Sequence, residues 1–118
     1  MATERVILVA DDDPSIRLLC RVNLELEGFR VLEAADVPSA VAQAPEVDVV
    51  LLDLHMGGLR GRDVVDPVRA AAPNVPLVLV TGSIDVGPEL RQSVAAVITK
   101  PFTIDLLIET TGRLANPV

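Results

Sequence analysis

The chain has no tryptophan and no tyrosine; its 118 residues include two phenylalanines, one cysteine, one histidine and a single lysine. Each scarcity excludes something. With net charge −7, no basic run and only Phe29 and Phe102 as aromatics, the chain offers nucleic acid neither a phosphate-binding stripe nor a stacking platform. Direct nucleic-acid binding is not expected. Cys20 stands alone in a helical pattern, so no disulfide can form within the chain; it reads as a buried, reduced thiol in a cytoplasmic protein. His55 is the only histidine, which rules out a multi-histidine metal centre, and no Cys/His cluster supports zinc. No apolar run approaches the roughly 20 residues of a membrane span, so membrane insertion is not expected. The first five residues lack the apolar segment of a secretory signal, and Met1, four residues before the first strand pattern, is expected to be a native start.

What remains is half apolar and long enough for one domain, expected over residues 3–116. Short β-branched runs alternate with helical patterns. Strands are expected at Arg5 to Ala10, Arg30 to Ala34, Val47 to Asp53, Pro76 to Thr81 and Ala96 to Lys100. Asp13-Pro14 opens a first helix, with Ile16, Leu19, Cys20 and Leu24 on one face and Gly28 ending it. Asp36 and Pro38 open a short helix that stops before Pro45, and residues 54–61 are expected as a loop. Pro67 falls inside the third helical pattern and predicts a late start with Asp66 as cap, or a kink. Gly82 to Val94 allows two helical turns at most, and Thr103 to Leu114 is a closing amphipathic helix. The alternation predicts an α/β fold: a parallel sheet covered on both faces, with sites outside the carboxyl ends of its strands.

Asp11 and Asp12, Asp53, Thr81 and Lys100 all lie at that end. Carboxylates about 4 Å apart repel by roughly 4 kcal/mol near a protein surface, and a shared divalent cation relieves this. An all-oxygen set favours Mg²⁺, with Mn²⁺ as the alternative, and Mg²⁺ keeps waters that a phosphoryl oxygen can replace. Given a metal, a carboxylate can attack phosphorus and become an aspartyl phosphate. An ammonium would neutralise phosphoryl oxygens and a hydroxyl would donate one more hydrogen bond; Lys100 and Thr81 are the candidates. Asp13 reads as a helix cap, Asp48 and Asp85 as solvated acids, and Phe102 as core packing.

Four stretches in order, Leu8-Val-Ala-Asp-Asp-Asp13, Val50-Leu-Leu-Asp-Leu54, Leu79-Val-Thr-Gly82 and Thr99-Lys-Pro-Phe102, resemble the receiver domain of bacterial response regulators over essentially the whole chain. The resemblance implies a three-layer, doubly wound, flavodoxin-like fold with five parallel strands in the order 2-1-3-4-5. It makes Asp53 the phosphoacceptor, supplied by a histidine kinase or histidine phosphotransfer protein. Asp12 would be a direct metal ligand, Asp11 would act through water, and the backbone carbonyl of His55 would complete the protein's share of the metal shell. Thr81 would hydrogen-bond the phosphoryl group, Lys100 would pair with it, and the Lys100–Pro101 peptide would be cis. Such a domain catalyses only its own phosphorylation and dephosphorylation, and then switches a partner or relays phosphate.

The chain departs from that pattern in places. Val97 stands where an aromatic residue often reports phosphorylation, and the interval from Thr81 to Lys100 is about three residues short, which predicts a stunted fourth helix. Relay from Thr81 to an aromatic, and output through the usual dimer face, are therefore not expected. Gly57 replaces a usual proline and predicts a looser loop after Asp53; His55 and Ser83 are expected to flank the pocket mouth and set water access. Two other readings stay open: a scaffold that binds a partner without phosphate, and a phosphohydrolase with Asp53 as nucleophile. Against the first stands the intact Asp12, Asp53, Thr81 and Lys100 set; against the second, His55 where such enzymes carry a second acid. Both a stand-alone receiver and part of a larger regulator fit the sequence.

Overall fold

A computed structural model describes residues 4–82 and 86–116. The strands are β1 (Val6–Ala10), β2 (Arg30–Ala34), β3 (Val49–Leu52), β4 (His55–Met56), β5 (Leu59–Arg60), β6 (Leu77–Thr81) and β7 (Ala96–Thr99). The helices are α1 (Pro14–Leu26), α2 (Val37–Gln43), α3 (Arg62–Ala71), α4 (Pro88–Gln92) and α5 (Ile104–Ala115). Five strands form one parallel sheet in the order β2-β1-β3-β6-β7. With the small hairpin β4–β5 set aside, that is the expected 2-1-3-4-5 arrangement of a doubly wound, flavodoxin-like fold.

Period-two side-chain alternation divides the interior. Ile7, Val9, Val49, Leu51, Val78 and Val80 face a core completed by Cys20 and Leu24 of α1 and Leu107 and Ala115 of α5. Leu8, Ala10, Val50, Leu52, Leu77 and Leu79 face the opposite side, against Ala40 of α2 and Val64 and Val68 of α3. Because both faces are covered, the central strands are apolar throughout, as a parallel sheet requires. The helices start on the expected caps: Asp13 accepts from Ser15 N and Asp36 from Ser39 N, each at 2.9 Å, and Thr103 caps α5. Phe102 packs against the α1–α5 core as expected. The helix after β6 has five residues, within the two turns predicted.

Four details differ from the sequence reading. First, α3 begins at Arg62, so Asp66 is not its cap; Gly61, at φ 62°, makes the left-handed turn that launches the helix early. Pro67 lies inside α3 at an exposed position, and Asp63, whose carbonyl loses its helical donor there, is an exposed residue too. Second, residues 54–61 are not an open loop. His55 pairs with Arg60 and Met56 with Leu59 around Gly57 (φ 60°) and Gly58 (φ 82°), a two-residue turn that needs positive φ at both central positions. Third, Asp48 is not merely solvated: it accepts from Val6 N at 2.8 Å and lies 3.7 Å from Arg5, tying the entry of β1 to the strand beside it. Fourth, Leu19 is exposed rather than on the buried face of α1, joining Leu18, Val22 and Leu26 on the outer side.

Candidate functional site

The sheet's hydrogen-bond ladder extends one residue beyond the strands and thereby fixes the site. Asp11 N donates to Ala34 O at 3.0 Å, Asp53 N to Ala10 O at 2.9 Å, and Lys100 N to Thr81 O at 2.9 Å. Asp11, Asp53 and Lys100 are thus held by backbone at the carboxyl ends of β1, β3 and β7, with Thr81 the last residue of β6. The predicted gathering at one sheet edge is what the fold produces.

Asp11 is 2% exposed, Asp53 8% and Thr81 0%, whereas Asp12 is open to solvent. One carboxylate oxygen from each of Asp11, Asp12 and Asp53 lies within 4.8 Å of the others. The Lys100 ammonium stands 2.8 Å from Asp11 Oδ2 and 3.3 Å from Asp53 Oδ2. Each buried acid is also held by a short turn of its own: Asp13 N donates to Asp11 Oδ1 at 2.9 Å, and His55 N to Asp53 Oδ1 at 3.2 Å. Asp12 has a weaker tie, a 3.4 Å contact from Gly57 N at the hairpin tip. The Lys100–Pro101 peptide is cis, as expected.

Burial holds the Asp11 carboxyl above the usual carboxylate range, against the hydrogen bonds from Lys100 and Asp13, with the Asp53 charge pushing the same way as burial. Burial pulls the Lys100 ammonium down, but the carboxylates of Asp11 and then Asp53 outweigh it, so the net shift is upward and Lys100 stays charged. One ammonium among three carboxylates leaves an excess of negative charge in a partly buried place, and among the described residues the ligand atoms gathered there are carboxylate oxygens. The donor set and its spacing fit a hard divalent cation.

Two contributors were missed in the sequence. Arg17 Nη1 donates to the backbone carbonyl of Asp11 at 2.7 Å from the first turns of α1, while its Nε reaches Glu33 on β2 at 3.3 Å. Nothing in the pattern of α1 separates this arginine from a surface residue. Gly57 touches Asp12 because the hairpin folds back, and the Gly57-Gly58 pair was the available signal. The backbone of His55 reaches Asp53, and its side chain is exposed on β4. Ser83 and Asp85 lie outside the described residues.

Comparison with known proteins agrees with this geometry. The family model for the response regulator receiver domain matches residues 7–111. The chain is 36% identical over 104 residues to the transcriptional regulatory protein KdpE of Mycobacterium tuberculosis, covering 85% of this chain and 46% of that one. Among solved structures, chemotaxis protein CheY4 of Vibrio cholerae superimposes with a TM-score of 0.80 at 29% identity, over 95% of this chain and 99% of that one. Response regulator TrrA of Thermotoga maritima, solved in complex with Mg²⁺-BeF, superimposes with a TM-score of 0.82 at 27% identity, over 93% and 98%. The chain spans less than half the length of the first curated relatives it matches. Fold, ordered motifs and the acidic edge converge, and the chain belongs to the response regulator receiver domain family.

Proposed function

We propose that this receiver domain takes a phosphoryl group onto Asp53 from a phosphohistidine donor, on a histidine kinase or histidine phosphotransfer protein, with Mg²⁺ bound beside it. The observation that carries the reading is Lys100, which reaches both Asp11 and Asp53 where three carboxylates converge within 4.8 Å. A protein-binding scaffold needs no such concentration of charge.

The chemistry follows from the positions. Asp53 Oδ attacks phosphorus, the phosphorus–nitrogen bond breaks, and the imidazole leaves with its electron pair, to be protonated by solvent. When bound, Mg²⁺ would offset the charge of the phosphoryl oxygens. Asp12 is suited to direct ligation because it is exposed and lightly held. Both oxygens of Asp11 are already engaged, by Asp13 N and by Lys100, which favours contact through water. Asp53 and the carbonyl of His55 complete the proposed protein ligands. Lys100 neutralises a phosphoryl oxygen, and the Thr81 hydroxyl donates to another from the end of β6. Hydrolysis returns the carboxylate and inorganic phosphate, so the domain acts only on its own phosphoryl group. Mn²⁺ satisfies the same all-oxygen set.

The signal then passes to a partner protein or onward as phosphate. Val97, half-buried against the α2–α3 side of the core, offers no aromatic ring to rotate, so the read-out runs by another route. The proposed setting is the cytoplasm; among the described residues no helix is long and apolar enough to cross a membrane.

Intact mass after incubation with Mg²⁺ and a small acyl phosphate tests the reading. One added phosphoryl group on the native chain, absent from Asp53→Ala, is the expected result. No gain with several donors would return the scaffold to favour, and multiple turnover of a phosphate ester would indicate a phosphohydrolase.

A further inference from the structure

The peptide joining Asp11 to Asp12 determines where both carboxylates point, and it is gripped from outside the site. On the N-terminal side, Asp11 N donates to Ala34 O at 3.0 Å, the last rung of the β1–β2 ladder. On the C-terminal side, the Asp11 carbonyl accepts from Arg17 Nη1 at 2.7 Å. Arg17 is itself braced: its Nε lies 3.3 Å from Glu33 Oε1, and its side chain is 19% exposed. Glu33 Oε2 takes a second arginine, Arg21, at 2.9 Å. The Glu33 backbone carbonyl accepts from Gln43 at 2.9 Å, which fastens the brace to α2.

We infer that Arg17, braced by Glu33, is a positioning residue for the metal site: by fixing the Asp11–Asp12 peptide plane it sets how tightly the acidic edge holds a divalent cation. This rests on the proposed Mg²⁺-dependent function and adds a determinant of its metal affinity. The physical case is geometric. A carbonyl anchored by a charged donor cannot turn, so the Asp12 carboxylate, whose own tie is one 3.4 Å contact, keeps its approach to the site. Without the anchor, Asp11 is still held by Lys100 and by Asp13 N, but the peptide carrying Asp12 loses the charged donor on its carbonyl. Outer groups that orient ligands typically account for 10–100-fold in metal affinity.

Arg21 supplies an internal control, because it shares Glu33 with Arg17 and among the described residues touches no group of the site. Both variants loosen the α1–β2 surface, yet only one releases the Asp11 carbonyl. Lysine at position 17 reaches the carbonyl or Glu33, not both in the forked geometry of a guanidinium.

Mn²⁺ binding, read from the loss of the free-ion electron paramagnetic resonance signal, is measured for the native chain, Arg17→Met, Arg17→Lys and Arg21→Met, with urea midpoints for each. The expected result is an affinity roughly 10-fold weaker in Arg17→Met, an intermediate value in Arg17→Lys and no change in Arg21→Met. If Arg17→Met does not fold, the Arg17→Lys and Arg21→Met pair carries the comparison. Equal affinity in the native chain and the Arg17 variants overturns the inference, as does an equal loss in Arg21→Met. A native chain that binds no Mn²⁺ overturns the metal site itself, a failure visible before any variant is compared.

Discussion

Lys100 lies nearer to Asp11 than to Asp53, 2.8 Å against 3.3 Å, so its stronger hydrogen bond goes to an acid other than the proposed phosphoacceptor. The ammonium therefore leans towards Asp11 while still reaching the carboxylate of Asp53.

Replacing that ammonium separates catalysis from binding. Lys100→Met removes the donor proposed to meet the transferring phosphoryl group, and loss of one such donor typically costs 10²–10³ in rate. Labelling by a small acyl phosphate at saturating Mg²⁺ is expected to slow by about 100-fold. A rate within a few-fold of native would show that Lys100 is only a counter-ion for Asp11.

Asp11 is expected to trade stability for function. Its carboxyl is raised by burial, so its protonated form is favoured in the fold; stability associated with it is present at low pH and lost as pH rises through the raised value. Asp11→Asn keeps the neutral form at every pH. In metal-free buffer at pH 7 it is expected to unfold about 4 °C higher, equivalent to about 1 kcal/mol, and the gain should vanish near pH 3. Mg²⁺ should stabilise the native chain and leave this variant nearly unmoved. A melting temperature below native at pH 7 would contradict the argument.

The alkaline side is unusually clean, since the chain has no tyrosine, one lysine and one cysteine. Burial, followed by the charge of Asp11, pushes the Cys20 thiol up to about 11. The unfolded thiol ionises first, so the fold binds the extra proton and stability falls as pH rises from 9 to 11. About 2–3 kcal/mol is lost over that window. Lys100, also raised, adds its own loss only above its ordinary value. Urea unfolding from pH 8 to 11 should show a steep fall in the native chain and a shallower one in Cys20→Ala, whatever their baselines. Parallel slopes would remove Cys20 as the cause.

Thr111 is fully buried in α5, and among the described residues its hydroxyl is the one buried side-chain polar atom without a partner. Valine keeps the shape and removes the unmet donor. Thr111→Val is expected to be neutral or to stabilise by up to about 1 kcal/mol in urea unfolding, with Mg²⁺ binding unchanged. A loss above 1 kcal/mol would mean that the hydroxyl has a partner in solution.

The architecture was legible because its signals are local and repeated. β-Branched runs, capping residues such as Asp13 and Asp36, and Gly28 at a helix end each place an element without reference to the rest. In a parallel sheet, residues just past the strands must share one edge, so Asp11, Asp12, Asp53, Thr81 and Lys100 followed directly. What escaped depends on tertiary contact. Arg17 matters through a carbonyl six residues back and a strand partner sixteen residues on, and helical periodicity records neither. Pro67, as a helix breaker, predicts a late start for α3, whereas the turn at Gly61 has already committed the chain to helix. Gly57-Gly58 was visible as a flexible pair, but flexibility and a tight reversal look alike until the flanking residues are seen to pair.

The partition of the interior by the sheet has an evolutionary corollary. Among the described residues none belongs to both cores, since each strand side chain is committed to one side or the other. Changes of volume beneath α1 and α5 should therefore combine almost independently with changes beneath α2 and α3, as separated substitutions do. The domain can remodel one flank to suit a new partner while the other drifts under separate constraint.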